Sequence, residues 1–465
     1  MTLLIVVIML LGYLMIATAN YTNVNKSAVA MFLAAVSWVL YISFGYDFVV
    51  DNHPREFLLY LLGDEPTSEG VKYFIAQNIF LKYVGKAAEV VLFLLASMTI
   101  VQILDSNGCF DFLMDFLRTR NSRKMLWLVV LITFLLSANI DNVTVTTMML
   151  VLVHKLLSQR SDRLRFGCAV MLAANCGGCL TVIGDPVGLA LWSGGAVNAT
   201  NYIVSMIVPV LLACAIPVYL LSRKLPESLD LQWVAPPFRG DDTNLSRRQR
   251  MIMGIVAFIG LWLIPCFHSV TKLSPFLGAL CVLAILWIVN EIYNRKLNSA
   301  DQMVQQLKPR AMQYASLQSI LYIIGIMLAL GAVKETGFLQ QFADWLWENV
   351  HNIFILGTLT GLVSTILDTF TTAMTCFSMF GVAPSGSLGD AAYFVQDGPF
   401  WKIIAYCTAI GGSMISVGSL SGLLLMKMED ISVRWFLRHF SFKVFLGWLC
   451  GMAFLYAEVY VFNFC

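Results

Sequence analysis

Long apolar runs separated by short polar stretches follow one another along the whole chain. Most of these runs are about 20 residues long, the length of a helix that crosses the hydrocarbon core of a bilayer. The first run lacks a basic flank and is predicted to be a spanning helix, not a cleaved signal. The pattern predicts an all-α polytopic membrane protein. The regular spans are predicted at 2–19, 27–46, 83–104, 202–222, 251–268, 275–293, 313–333 and 444–463.

Four further apolar runs do not fit a regular span, because polar residues, glycines or prolines occupy their centres. The runs at 125–157 and 353–381 have polar centres, so each is predicted to form a re-entrant hairpin whose tip is buried in protein. The runs at 168–192 and 402–426 are interrupted by glycines, which predicts two broken transmembrane helices. Such elements are typical of secondary transporters.

The hairpins and the broken helices repeat each other in sequence. Ser137 and Asp141 of the first hairpin correspond to Ser364 and Asp368 of the second. Chance similarity between apolar segments does not keep a glycine pattern in register, so the glycines support an internal repeat. At one constant offset, Gly177, Gly178, Gly184 and Gly188 correspond to Gly411, Gly412, Gly418 and Gly422.

The repeat divides the chain into four predicted parts. They are N-terminal helices with an external acidic loop (1–82), the first repeat (83–223), a helical pair with cytoplasmic linkers (224–311) and the second repeat (312–465). With the acidic loop outside, 23 of the 30 Lys and Arg residues fall on the inner side. In this tracing the hairpins enter from opposite sides, which predicts inverted repeats. Both termini are then predicted on the outer side.

Composition supports a membrane protein and excludes other classes. Of the 465 residues, 58% are hydrophobic and 12% are charged, whereas soluble domains carry about 25% charged residues. The net charge of +2 gives no reason to expect a nucleic-acid partner. The 11 cysteines are scattered and predict no disulfide framework.

The hairpin tips and helix breaks bring oxygen ligands to the expected membrane midplane. Neither motif contains His or Arg, and hard oxygen donors with one or two carboxylates suit a small hard cation. Burial favours a protonated carboxylic acid and a nearby cation favours the ionised form, so protons and a cation compete for one site. The predicted ion-path residues are Ser137, Asn139, Asp141, Asn142, Thr144, Asn175, Gly177, Gly178, Thr181, Asp185, Ser364, Asp368, Thr369, Ser413, Ser416 and Ser419.

Other interpretations of these residues remain open. Asp368, and Asp185 before Pro186, could each cap a helix N-terminus, and the serines could only bond neighbouring helices. Serine-rich tips at helix N-termini could also bind an anion. Asp185 and Asp368 could serve an intramembrane aspartyl protease, but its glycine-x-glycine-aspartate motif is absent. A transporter is therefore expected, not an enzyme.

The sequence resembles the NhaD-type sodium/proton antiporters of the ion transporter superfamily, which also contains arsenite and citrate-type carriers. The resemblance covers roughly residues 83–460. It implies export of Na⁺ or Li⁺ in exchange for H⁺, no cofactor, a bacterial inner (plasma) membrane location and a homodimer. The motifs that carry it are SANIDNVTVT from Ser137, ANCGGCLTVIGDP from Ala174 and FWKIIAYCTAIGGSMISVGSLSG from Phe400.

The candidate Na⁺ ligands are Asp141, Asn142, Asn175 and Asp185. The resemblance implies that the ion path includes these four residues together with Ser137, Ser364, Ser413 and Ser416. The sequence also departs from the family pattern in ways that remove oxygen ligands. An anion or metalloid carrier of the same fold, of the dicarboxylate/citrate or arsenite type, is therefore the alternative function. The departures are Pro186, Val187 and Gly188 in place of threonines, Thr369 in place of Asn, and Lys402 in place of an acidic residue.

Overall fold

All regular elements of the described structure are helical. The computed structural model describes residues 2–22, 24–61, 67–117, 119–231, 245–294 and 310–461. Eight of the described helices are long and apolar enough to cross a membrane. The predicted all-α polytopic fold is thereby confirmed. Much of the two predicted linkers, 232–244 and 295–309, lies outside the described residues.

The helices are numbered here in chain order. Those before residue 295 are α1 (Thr2–Thr22), α2 (Lys26–Phe44), α3 (Tyr46–Asn52), α4 (Pro54–Leu61), α5 (Ser68–Phe74), α6 (Leu81–Ser106), α7 (Phe112–Phe116), α8 (Ser122–Ser137), α9 (Asn142–Leu156), α10 (Arg160–Leu180), α11 (Pro186–Ser193), α12 (Ala199–Ser222), α13 (Arg247–Thr271) and α14 (Pro275–Tyr293). Those after it are α15 (Arg310–Glu335), α16 (Phe338–Val350), α17 (Ile353–Ser364), α18 (Thr369–Phe380), α19 (Pro399–Gly411), α20 (Leu420–Glu429), α21 (Val433–Phe436) and α22 (Phe442–Tyr460).

Two helical runs are longer than the hydropathy pattern predicts. Helices α5 and α6 are joined by a π-helical segment into one run, Ser68–Ser106, and α21 and α22 are joined in the same way into Val433–Tyr460. Charged residues near the start of each run lower its hydropathy, but they do not end a helix. The first run crosses the predicted 82/83 boundary, so that boundary does not coincide with a helix end.

Both predicted hairpins and both predicted broken helices are present. Helices α8 and α9 form the first hairpin around a tip at 138–141, and α17 and α18 form the second around a tip at 365–368. Helix α10 stops before a non-helical segment at 181–185, after which α11 begins with Pro186. Helix α19 stops before a longer break at 412–419, after which α20 begins. Proline suits the first helical turn, because its missing N–H would have no partner there.

The glycines of the two repeats permit equivalent close contacts. A Cβ atom added at Gly177 would lie 2.3 Å from the carbonyl oxygen of Phe134, and one added at Gly411 would lie 2.6 Å from that of Gly361. Both contacts bring the first half of a broken helix against the first arm of its own hairpin. The repeats are therefore alike in packing as well as in sequence, while their inverted relation stays a prediction.

The serines of the two hairpins show the same equivalence. Ser137 donates a hydrogen bond from Oγ to the carbonyl oxygen of Ala174 at 2.6 Å. Ser364 donates from Oγ to the carbonyl oxygen of Thr408 at 2.9 Å. Each bond ties the end of a hairpin arm to the backbone of the neighbouring broken helix.

Helix packing separates the long helices into two groups. The flanking bundle contains α1, α2, α6, α13, α14 and α15. The hairpin bundle contains the two hairpins, the two broken helices, α12 and α22. The two bundles meet chiefly where α15 packs on α18 and where α6 packs on α11, which brings the flanking bundle against one hairpin and one helix break.

The Gly177→Ala substitution should destabilise the protein by about 1–3 kcal/mol, because a methyl group would collide with a backbone oxygen that cannot rotate away. The measurement is the Tm of purified protein in detergent. Gly254→Ala is the matched control, since no atom lies within 4 Å of the position of its added Cβ. Equal Tm values for the two variants would contradict this account of the packing.

Candidate functional site

A small cavity lies where the hairpin tips, the helix breaks and the flanking bundle meet. Its volume is about 30 Å³, which holds one or two water-sized species. Three aspartates from the hairpin bundle, Asp141, Asp185 and Asp368, line it, and each is at most 5% exposed. No Lys, Arg or His belongs to its lining within the described ranges.

Two of the aspartates are also helix caps. Asp141 precedes α9 and accepts a hydrogen bond at Oδ2 from the Thr144 backbone N–H at 3.1 Å. Asp368 precedes α18 and accepts one at Oδ2 from the Phe370 backbone N–H at 3.1 Å. The two oxygens of a carboxylate together offer about four lone-pair sites, so a carboxylate that caps a helix can still bind a cation. The capping interpretation of Asp368 is therefore correct and is compatible with ion binding.

The third aspartate lies in the break of the first broken helix. Asp185 Oδ1 accepts a hydrogen bond from the side-chain amide of Asn142 at 3.0 Å. The break is held against the first hairpin tip by Thr181, whose hydroxyl donates to the carbonyl oxygen of Ala138. The same hydroxyl accepts the backbone N–H of Gly184 at 3.1 Å. The break is thus a fixed turn that directs Asp185 towards the tip.

A chain of hydrogen bonds joins the two repeats through Asn175. Its Oδ1 atom accepts a long hydrogen bond from Asn142 at 3.4 Å. Its Nδ2 atom donates to Ser413 Oγ at 2.8 Å and to Ser419 Oγ at 3.1 Å. The first tip, the first broken helix and the second helix break are therefore connected by amide and hydroxyl groups that could also bind a cation.

The other predicted serines and Thr369 differ in position. Ser419 and Thr369 line the cavity. Ser416 is fully buried, and its hydroxyl has no hydrogen-bond partner among the described residues. Ser137 and Ser364 use their hydroxyls in the helix-to-helix bonds described above, which supports the structural interpretation of these two serines.

Ten of the sixteen predicted residues are not part of the cavity lining, and neither are three of the departures from the family pattern. The ten are Ser137, Asn139, Thr144, Asn175, Gly177, Gly178, Thr181, Ser364, Ser413 and Ser416, and the three departures are Val187, Gly188 and Lys402. Asn139, in the tip just after α8, donates from its amide to the carbonyl oxygen of Leu135 in the last turn of α8 at 2.8 Å. Gly177 and Gly178 serve close backbone packing, as their blocked Cβ positions indicate. Lys402 is buried in α19, also outside the lining.

The cavity also has a wall that the repeat motifs did not predict. Met98 of α6 and Ser319, Tyr322 and Ile323 of α15 line it from the flanking bundle. In the sequence, the signal for this wall was a serine and a tyrosine, Ser319 and Tyr322, inside the otherwise apolar span 313–333. It is a weak signal, because only the packing of α15 against α18 brings these side chains to the site.

Comparisons with known proteins agree with this architecture. A family model described as citrate transporter matches residues 1–396. The chain is 31% identical over 370 residues to sodium/proton antiporter 1 of Arabidopsis thaliana, a match that covers 79% of this chain and 62% of that protein's length. It is 22% identical to the Na⁺/H⁺ antiporter NhaD of Vibrio cholerae, covering 90% of this chain and 83% of that protein. The resemblance to NhaD-type antiporters is thereby confirmed.

A solved structure shares the fold at low sequence identity. The crystal structure of the Alcanivorax borkumensis YdaH transporter, described as having an unusual topology, matches with a TM-score of 0.59 at 14% identity. The match covers 94% of this chain and 99% of that one. It supports the architecture alone, since the identity is low.

The Asn175→Ala substitution should lower stability by roughly 2–4 kcal/mol, because it leaves buried hydroxyl groups without their partner. The check is the Tm of the purified protein. Asn349→Ala is the control, since Asn349 is exposed and donates only to Trp345 of its own helix. An unchanged Tm for Asn175→Ala would mean that the two repeats do not depend on this chain of hydrogen bonds.

Proposed function

We propose that this chain, which belongs to the citrate transporter family, is a secondary active transporter that exchanges Na⁺ or Li⁺ for H⁺. The observation that carries the proposal is the group of three buried aspartates around one small cavity whose described lining includes no basic side chain. The names of the relatives, Na⁺/H⁺ and sodium/proton antiporters, support the same function.

The donor set favours a small cation. Carboxylate, amide and hydroxyl oxygens are the ligands that hard cations prefer, and the cavity has room for one such ion. We propose Asp141, Asn142, Asn175 and Asp185 as the ligands of Na⁺, with Asp368 contributing from the second repeat.

The same donor set supports exchange with protons. Three carboxylates around one cavity cannot all be ionised without a counter-charge, because like charges in a buried site repel. Without a cation the site therefore takes up protons, and with a cation it releases them. Because protons and the cation cannot occupy the site together, the transporter carries each of them across the membrane in a separate step.

Alternating access fits the division into two bundles. The cavity has one wall from the hairpin bundle and another from the flanking bundle. Movement of one bundle along the other would therefore separate these walls and open the site. We further propose a bacterial inner membrane location, both termini outside and a homodimer.

The family description favours one second candidate, an anion carrier of the citrate or arsenite type. Electrostatic repulsion argues against an anion carrier, because a polycarboxylate in this cavity would face three aspartates and no basic group in the described lining.

The Asp141→Asn and Asp185→Asn variants should each lower Na⁺-driven proton movement by roughly 100-fold or more, because a cation in a buried site loses a charged ligand. The measurement uses proteoliposomes with an internal pH dye and an imposed pH gradient. Na⁺, Li⁺, K⁺ and Ca²⁺ are added in turn. Asp344→Asn is the control, because it makes the same change on the exposed face of α16.

Labelled citrate and arsenite are tested in the same vesicles. No proton movement on addition of any cation, together with uptake of a labelled anion by the wild-type protein, would replace the antiport proposal with the anion carrier. Full Na⁺-driven activity in both Asn variants would contradict the assigned ligands.

A further inference from the structure

A buried glutamate at the end of α15 collects polar side chains from α3, α6 and the turn between α3 and α4. Glu335 is the last residue of α15, and its side chain is 10% exposed. Its carboxylate accepts a hydrogen bond from the Tyr83 hydroxyl of α6 at 2.6 Å. Its backbone carbonyl accepts one from the side-chain amide of Asn52, on α3, at 2.6 Å. None of these residues lines the cavity, so the proposed exchange gives this cluster no role.

The turn between α3 and α4 places His53 between two carboxylates. Its Nε2 atom lies 2.7 Å from Oε2 of Glu335, and its Nδ1 atom lies 3.4 Å from Oε2 of Glu56, in the first turn of α4. Both ring nitrogens of an imidazolium carry a proton, whereas a neutral imidazole carries only one. The geometry therefore suits the charged form of His53, because the neutral form would place a nitrogen lone pair against one of the two carboxylates.

These three side chains lead from the solution to the buried end of α15. The Glu56 side chain is 62% exposed, that of His53 is 21% exposed and that of Glu335 is 10% exposed. The ring of Phe74, from α5, packs against the imidazole. Histidine changes charge close to neutral pH, and His53 is open enough to exchange its proton with the solution on this side of the membrane.

The other ionisable groups around this cluster do not replace His53. Tyr83 and the fully buried Tyr41 interact electrostatically with Glu335, but tyrosine in general titrates far above neutral pH. Lys334 and Lys86 bring positive charge to the same end of α15, yet neither forms an ion pair with Glu335 within the described part of the chain. His53 is therefore the group here whose ordinary titration range includes neutral pH.

We infer that His53 is a proton-dependent latch, which when charged holds the cap formed by α3 and α4 (46–61) on the end of α15. The proposed topology places this end on the outer side, and the inference is independent of which ion is carried. Helix α15 also brings Ser319 and Tyr322 to the cavity. Directly after the latch, Gly337, with a φ of +74°, turns the chain into α16. The latch thus fixes one end of a helix whose other part forms a wall of the cavity.

The latch is closed in acid and loosened in alkali. Below the pH range in which His53 loses its proton, both carboxylates have a donor and an opposite charge. As the pH rises through that range, the charge is lost and one of the two contacts becomes repulsive. The cap then depends on the Asn52 bond and on buried apolar residues such as Val49 and Phe57. Alkaline solution on this side therefore loosens the end of α15.

The test is hydrogen–deuterium exchange of purified protein at about pH 6 and about pH 8.5, on either side of the histidine range. Exchange is read by mass spectrometry and expressed as protection relative to the unfolded chain at each pH. In the wild-type protein, protection of residues 46–61 should fall about tenfold or more between the two pH values, because a hydrogen bond to a charged group is lost. His53→Gln and Glu335→Gln should each show low protection at both pH values, with a difference of less than about twofold.

His351→Gln is the matched control. His351 Nε2 lies 3.1 Å from Asp390 Oδ2, but both side chains are more than half exposed, and pairs of that kind contribute little to stability. This variant should keep the wild-type change in protection of the cap.

Two results would overturn the inference. One is equal protection of the wild-type cap at the two pH values. The other is a His53→Gln variant in which protection is lower but still falls about tenfold as the pH rises, since His53 would then only pack the cap. No transport is measured, so neither result bears on the proposed exchange of cations for protons.

Discussion

The structure depends on one constraint, the burial of three carboxylates in a molecule made mostly of apolar helices. An aspartate at the centre of a membrane helix costs about 3 kcal/mol or more to insert. Here each aspartate lies at the end of a helix segment, where free backbone N–H groups and neighbouring amides partly offset that cost. Asp141 and Asp368 cap the second arms of the hairpins, and Asp185 accepts a hydrogen bond from Asn142. Polar side chains can be held at this depth because the helices stop there.

Stopping a helix inside a membrane protein creates a second requirement, because the freed backbone groups need partners. Side chains at the tips and breaks supply some of these partners: Asp141 and Asp368 accept N–H groups of the second hairpin arms, and Thr181 and Ser419 accept N–H groups at the two helix breaks. Ser137 and Ser364 tie each hairpin to the neighbouring broken helix, and glycines allow the backbones to approach within contact distance. The fold and the site are therefore not separable: the glycines that pack the hairpins against the broken helices also bring the carboxylates around one cavity.

The cavity is completed by α6 and α15 of the flanking bundle, which carry none of the matched tip and glycine motifs. Helix α15 supplies Ser319 and Tyr322, and the contact of Tyr322 with Thr371 makes the second hairpin differ from the first. Two tips that share a serine and an aspartate at equivalent positions thus acquire different surroundings.

The sequence by itself determined the spans, the two hairpins, the two broken helices and the internal repeat, because hydropathy, glycine spacing and polar centres are local properties of the chain. It also identified Asp141, Asp185 and Asp368, since a carboxylate within an apolar run is conspicuous. Tertiary structure alone decided which residues face the cavity: Asn139 bonds the last turn of α8, Ser137 and Ser364 bond neighbouring helices, and Tyr322, which was not predicted, enters from α15. The reason is that a side chain's partners across a helix interface depend on how distant helices rotate and pack, which no local pattern records.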